Sequence, residues 1–180
     1  RHEGKSEPAG YTRKFPLYDY TETVKWMVYR FKNGQRPGYK EAFAYELFRR
    51  YGNEFHKLSL DYIVPIPLHY SKELKRGYNQ AKLIADGLSQ YLQVPVDTQH
   101  ITKKRTSQES KRLNRLRRQR EIKTSYTLVH PEFFKGKRVL LVDDVYTTGG
   151  TARTVSQLLL DAGCKTVYVT TVAIGQLLTT

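Results

Sequence analysis

The run Val139–Thr151, VLLVDDVYTTGGT, constrains the fold more than any other part of this 180-residue chain. Val139 to Val142 are four consecutive apolar residues, the mark of a short strand buried on both faces, as in a parallel sheet. Two carboxylates, Asp143 and Asp144, follow at its carboxyl end. Thr147, Thr148, Gly149, Gly150 and Thr151 then make a turn of small residues, and helical spacing runs from about Thr151 to Asp161. Strand, acids, turn and helix in this order are how an α/β protein builds a phosphate site. Glycines let the backbone approach an anion, N–H groups at the helix start point toward it, and threonine hydroxyls add donors. Each part also has a plainer reading: Thr and Gly can be only a turn, and Asp at a strand end can be only a helix cap. Order and spacing together favour a cradle for a ribose phosphate, with the acid pair accepting hydrogen bonds from vicinal sugar hydroxyls. The segment is not a P-loop, since no Gly-Lys-Ser/Thr follows.

The remaining helices and strands are placed by periodicity. Tyr20 to about Lys32 and Tyr39 to about Tyr51 read as helices that flank the sheet, separated by the turn NGQRPG at Asn33–Gly38. Asp61–Pro67 is the first convincing strand, and Asn79 to Leu92 is an amphipathic helix. The link between them, Leu68–Tyr78, holds Lys72, Lys75, Arg76 and Gly77, a second plausible anion site or simply an exposed basic turn. Pro95–Thr102 is read as the next strand and Thr166–Ala173 as the last. This β–α order predicts an α/β fold: a doubly wound, mostly parallel sheet of four or five strands flanked by helices, with a helical N-terminal part. The length suits one domain. Residues 1–19 are expected to be a polar, poorly ordered lead-in, 20–180 the domain, and 103–125 a basic flexible lid within it.

Charge narrows the choice of partner. Lys and Arg number 31 against 17 Asp and Glu, a formal +14 with a pI near 9.8. Such a balance suits polyanions, and 14 tyrosines among the cations suit single strands, whose bases stack on aromatic rings. The basic residues concentrate between Lys103 and Lys123, where ten Lys or Arg face two Glu. Lys103, Lys104, Arg112, Arg115, Arg117 and Arg118 are the candidate nucleic-acid contacts. A solvated basic helix is the plainer reading of the same run. Cys164 is the only cysteine, so no internal disulfide and no cysteine-cluster zinc site can form, and a small buried residue at a helix-to-strand turn is expected there. No apolar run approaches a membrane span and no secretory signal is visible, so a cytoplasmic chain is expected. The chain does not begin with Met and reads as a trimmed piece of something longer.

On its VLLVDDVYTTGGT run, the segment resembles the signature of type I phosphoribosyltransferases, which bind 5-phosphoribosyl-1-pyrophosphate with Mg²⁺. The blocks IVPIPLHYSKELKRGYNQAKLIADGL, KKRTSQ and LLVDDVYTTGGT together resemble the ComF late-competence family, over roughly Tyr18 through Ala173. The resemblance implies that Asp143 and Asp144 are the catalytic acids, holding the 2′ and 3′ hydroxyls and contacting Mg²⁺ directly or through water. It implies that Thr147, Thr148, Gly149, Gly150 and Thr151 hold the 5′ phosphate, and that Arg76, Gly77 and Arg105 serve the pyrophosphate. It further implies a role in uptake of transforming DNA, with single-stranded DNA and a membrane-associated competence helicase of the ComFA type as partners, and leaves room for a homo-oligomer. Work at the inner face of the membrane, through that partner, is implied as well.

Three departures stand out. The four-cysteine zinc module common in the family is absent, so zinc is implied only if such a module lies upstream of Arg1. Tyr146 occupies a place where the family often has a smaller or aliphatic residue. After the lid the chain reads RRQREIKTSY, without the family's frequent Arg-x-x-Asn-Val. No general base and no glutaminase domain are visible. Transfer of phosphoribose to an unidentified nitrogen nucleophile therefore stands as the alternative to competence-linked DNA handling with a ligand-binding pocket.

Overall fold

β5 (Arg138–Tyr146) is the axis of the sheet, and its burial explains why. Val139, Leu140, Leu141 and Val142 are all fully buried, alternating between two apolar cores on opposite faces. Truncating either leucine to Ala would cost about 2–5 kcal/mol. The structure, a computed structural model, describes residues 11–32, 38–103 and 125–175. β1 (Arg13–Asp19), β6 (Thr166–Ile174), β5 and β2 (Tyr62–Pro65) form one sheet in the order β1-β6-β5-β2, every pair parallel. Around it lie α1 (Glu22–Lys32), α2 (Tyr39–Lys57), α3 (Tyr70–Arg76), α4 (Gln80–Leu92) and α5 (Gly150–Asp161). α1, α2 and α4 pack on one face of the sheet and α5 on the other, which is the doubly wound arrangement expected.

The largest difference from the sequence reading is β1. Residues 13–19 lie inside the domain rather than in a lead-in, with Phe15 and Leu17 buried in the sheet's core. β1 contains Pro16, but it pairs only with β6 and an edge tolerates proline. α2 covers that edge: Tyr51 Oη donates to the Pro16 carbonyl at 2.6 Å, and the Arg50 guanidinium donates to the Leu17 carbonyl.

Pro95–Thr102 is not one strand. Val96 makes a single parallel bridge to Ile63 on the outer edge of β2. The chain then turns into β3 (Ile101–Lys103), which pairs antiparallel with β4 (Tyr126–Leu128) in a separate ribbon. The link after β2, read from the sequence as an anion site or an exposed basic turn, contains the short helix α3. Cys164 is buried between α5 and β6 as expected, its thiol donating to the Lys137 carbonyl at 2.9 Å.

Candidate functional site

Asp143 and Asp144 do not follow β5; they are part of it, because the strand continues through Tyr146. Asp143 pairs in register with Thr171 of β6, and Thr171 Oγ1 donates to the Asp144 carbonyl at 3.1 Å. The acid pair thus sits on a rigid backbone at the carboxyl end of a central strand. The chain then turns through Thr147 and Thr148 to Gly149, which takes a left-handed φ of 73° and starts α5 without any side-chain cap. The first N–H groups of α5 consequently have no side chain of their own at the cap, the arrangement that receives anions at helix starts. The Arg153 guanidinium reaches back and donates to the Thr148 carbonyl, bracing the turn.

Tyr146 explains why position 149 must be glycine. A Cβ there would lie 2.1 Å from the Tyr146 hydroxyl and 2.3 Å from Cζ, besides demanding the strained φ. Tyr146 is buried beneath the turn rather than placed at its mouth. Its hydroxyl is 2.6 Å from that of Tyr11, and Lys14 Nζ lies 4.6 Å from its ring centre.

The two acids are electrically unequal. Withdrawal from water, and then the neighbouring Asp144 charge, push the Asp143 carboxyl up to about 7. The Asp144 N–H, donating to Asp143 Oδ1 at 2.9 Å, and the Lys32 ammonium oppose that rise. Lys32 itself is paired with Asp144, Nζ to Oδ2 at 2.9 Å. Sequence reasoning missed Lys32, which looks like an ordinary cation at a helix C-terminus. It also missed Tyr126. Lys103 Nζ donates to Tyr126 Oη at 2.9 Å, and Tyr126 is hydrogen-bonded to Thr151. Burial, then the charge of Asp143, raise the Tyr126 phenol, so it stays neutral. The ribbon β3–β4 is therefore tied to the first turn of α5.

Side chains of the RGYNQ block tie α4 to the end of α1 and to Ile66 just after β2. Asn79 caps α4 by accepting from the Ala81 N–H at 3.0 Å, and its amide donates to the Ile66 carbonyl at 3.1 Å. Tyr78 Oη donates to the Phe31 carbonyl and Gln80 Nε2 to the Lys32 carbonyl at 3.4 Å, fastening the end of α1. Arg76 donates to Gln80 Oε1 at 3.2 Å, and Gly77 ends α3 with φ 81°. A chain of bonds thus runs from Arg76 through Gln80 and Lys32 to Asp144. Of the remaining candidates, Lys103 ends β3, whereas Lys104, Arg105, Arg112, Arg115, Arg117 and Arg118 lie outside the described residues. No group of three or more His, Cys, Asp or Glu among the described residues could hold a metal, and no helix there is long and apolar enough to cross a membrane.

The phosphoribosyl transferase domain family matches residues 75–176, from the RGYNQ block through β6. Competence protein F of Haemophilus influenzae is 30% identical over 92% of this chain and 73% of its own length. DNA utilization protein YhgH of Salmonella typhimurium is 31% identical over 91% of this chain and 72% of its own. Competence protein ComFC of Bacillus subtilis is 29% identical, but this chain spans only 58% of it. Among solved structures, adenine phosphoribosyltransferase from Leishmania donovani superposes with a TM-score of 0.51 at 15% identity, over 91% of this chain and 82% of that one. Glutamine phosphoribosylpyrophosphate amidotransferase from Bacillus subtilis gives 0.50 at 19% identity, over 80% of this chain but only 30% of that one. The two structures share the fold, and the four-stranded parallel sheet with its flanking helices agrees with it. The chain belongs to the phosphoribosyl transferase domain family, in the branch that contains Competence protein F, YhgH and ComFC.

Proposed function

We propose that this protein acts in DNA uptake or utilisation, binding phosphoribosyl pyrophosphate with Mg²⁺ at the β5–α5 turn and single-stranded DNA on its basic surface. The observation that carries the ligand reading is the acid pair of β5 leading directly into a turn that opens α5 without a side-chain cap. A sugar monoester needs N–H and hydroxyl donors, offered by Thr147, Thr148, Gly149, Gly150 and Thr151. Its diol needs acceptors, offered by Asp143 and Asp144. The donor set also fits Mg²⁺, which keeps several waters and uses one or two carboxylates together with substrate phosphates. Bound there, Mg²⁺ would neutralise pyrophosphate charge. Arg76, Gly77 and Arg105 are the proposed pyrophosphate contacts.

The role in DNA handling rests on the competence and DNA-utilisation relatives and on the formal +14 charge. Lys103, Lys104, Arg112, Arg115, Arg117 and Arg118 supply its phosphate contacts. The protein then works in the cytoplasm with a competence helicase of the ComFA type, at the inner face of the membrane. Zinc enters only with a cysteine module outside this chain.

A metabolic reading is favoured by the same intact acid pair: displacement of pyrophosphate from the anomeric carbon by a nitrogen nucleophile, the two acids holding the sugar. Isothermal calorimetry of phosphoribosyl pyrophosphate with Mg²⁺ tests both. Binding is expected, and it should weaken in the variant carrying Asp143→Asn and Asp144→Asn. No heat from the unmutated protein would remove the ligand site from either reading.

A further inference from the structure

The inner face of α1 is a stripe of Val24, Val28 and Phe31, all buried, with Met27 packed beside them. At 100° per residue Trp26 lies almost diametrically opposite that stripe. Trp26 is 52% exposed and Tyr29 is 61% exposed, and neither belongs to either apolar core. The Arg30 guanidinium lies 4.3 Å from the centre of the Trp26 ring system, a flat cation laid over a flat aromatic surface. Lys25, Tyr29 and Lys32 follow at i, i+4 and i+7, a second stripe of the same character. That stripe ends at Lys32, whose ammonium already touches Asp144 of the candidate ligand site.

A large exposed tryptophan needs an explanation, since tryptophan is normally mostly buried. Core packing does not supply one here, and Glu22 is the only acid on α1. Exposed rings, interleaved with cations one helical turn apart, match a chain of stacked bases joined by phosphates. We infer that the outer face of α1, through Trp26, Tyr29 and Arg30, is a base-stacking platform for single-stranded nucleic acid. This contact is separate from the Lys103–Lys123 run, and the inference rests on the nucleic-acid reading given above. Phosphate charge is met by Arg30, and by Lys25 in exchange for its exposed pair with Glu22 at 3.4 Å, while Trp26 and Tyr29 take the bases. Because the same helix ends in the ligand site, a strand on this face lies on the element that carries Lys32.

Trp26 is the only tryptophan in the chain, so its fluorescence reports on this surface alone. Titration of the full chain with a fluorescein-labelled oligothymidylate, read by anisotropy, and with its unlabelled counterpart, read by tryptophan emission, is the test. Emission should be quenched in step with the rise in anisotropy. Trp26→Ala should weaken binding by anisotropy roughly 5- to 150-fold, the range for loss of one stacked base, while Trp26→Phe should keep most of it. Both variants replace an exposed side chain and leave the buried stripe intact. Anisotropy that rises without any change in tryptophan emission, and with Trp26→Ala binding normally, would overturn the platform and leave the nucleic-acid reading standing. Silence in both signals would overturn both. Quenching that depends on protein concentration and not on the oligonucleotide would assign the face to a second copy of the chain and overturn the proposal.

Discussion

Lys32 Nζ lies 2.9 Å from Asp144 Oδ2, joining the last residue of the first helix to the second acid of the central strand. Both side chains are mostly withdrawn from water, at 28% and 18% exposure, so the pair is screened less than a surface one. Gln80 and Tyr78 hold the backbone behind it. The site therefore carries its own cation next to two carboxylates. Lys32→Met keeps the stem and removes the charge. Affinity for phosphoribosyl pyrophosphate with Mg²⁺ should fall on the order of tenfold, since a hydrogen bond to a charged group is worth about 1.5–3 kcal/mol and this one is partly solvated. Calorimetry at pH 8 checks it. An affinity that rises instead would show that Lys32 only fills the place the ligand takes.

The raised Asp143 carboxyl gives the site a pH dependence of definite sign. Its pKa stands near 7 against an ordinary 3.8, so the folded protein holds a proton there that the unfolded chain has released. Asp143 therefore favours the fold fully below about pH 4, and that contribution is lost as pH rises through 7. Ligand binding runs the other way, because only the ionised carboxylate accepts hydrogen bonds from a diol without also donating. Affinity should climb between pH 6 and pH 8 and then level off. Asp143→Asn should flatten both curves, and the slope that remains in the ligand curve belongs to the ligand's own phosphate. Denaturation midpoints and calorimetric titrations at matched ionic strength would measure the two slopes.

Much of this site is legible in the residues themselves, because Val139–Thr151 states a whole strand–turn–helix unit in consecutive positions. The sheet between β2 and β6 was legible for a similar reason: Ile63, Val64 and the β5 run are buried on both faces, and double burial gives continuous apolar residues. β1 was not, since Arg13, Lys14 and Asp19 surround only two buried side chains and Pro16 interrupts them. Lys32 and Tyr126 were not legible either. Their roles arise from tertiary placement, one from a helix end fastened by Tyr78 and Gln80, the other from a two-stranded ribbon closed across a long basic segment. The RGYNQ block was legible only in part. Arg76 and Gly77 belong to the basic link read as a plausible anion site, whereas the bonds of Tyr78, Asn79 and Gln80 to backbone groups had no signal in the sequence beyond an Asn cap.

That assignment separates two kinds of residue in one block. Tyr78→Phe removes the donor to the Phe31 carbonyl and should cost about 1 kcal/mol of stability. Gln80 is 2% exposed, so Gln80→Leu leaves both the Lys32 carbonyl and the Arg76 guanidinium without it and should cost somewhat more. Both variants should also weaken ligand binding, because Lys32 loses its anchor. Arg76→Ala takes one donor from Gln80 Oε1, so it should cost less stability than Gln80→Leu and act chiefly on affinity. Urea denaturation beside calorimetry on the three variants tells the cases apart; equal destabilisation by all three would show that Arg76 has only a structural role.

The Lys103–Lys123 run predicts a salt dependence that needs no knowledge of its conformation. If about six of its cations meet phosphates, the log of the affinity for single strands should fall with the log of salt concentration with a slope on the order of −4. Arg115→Ala, Arg117→Ala and Arg118→Ala together should reduce that slope by roughly 2 and weaken binding at every base composition alike. Filter binding of oligothymidylate and of a mixed-sequence strand from low to moderate salt gives both numbers. A flat response in the unmutated protein would show that the charge of this run is solvated and serves no nucleic acid.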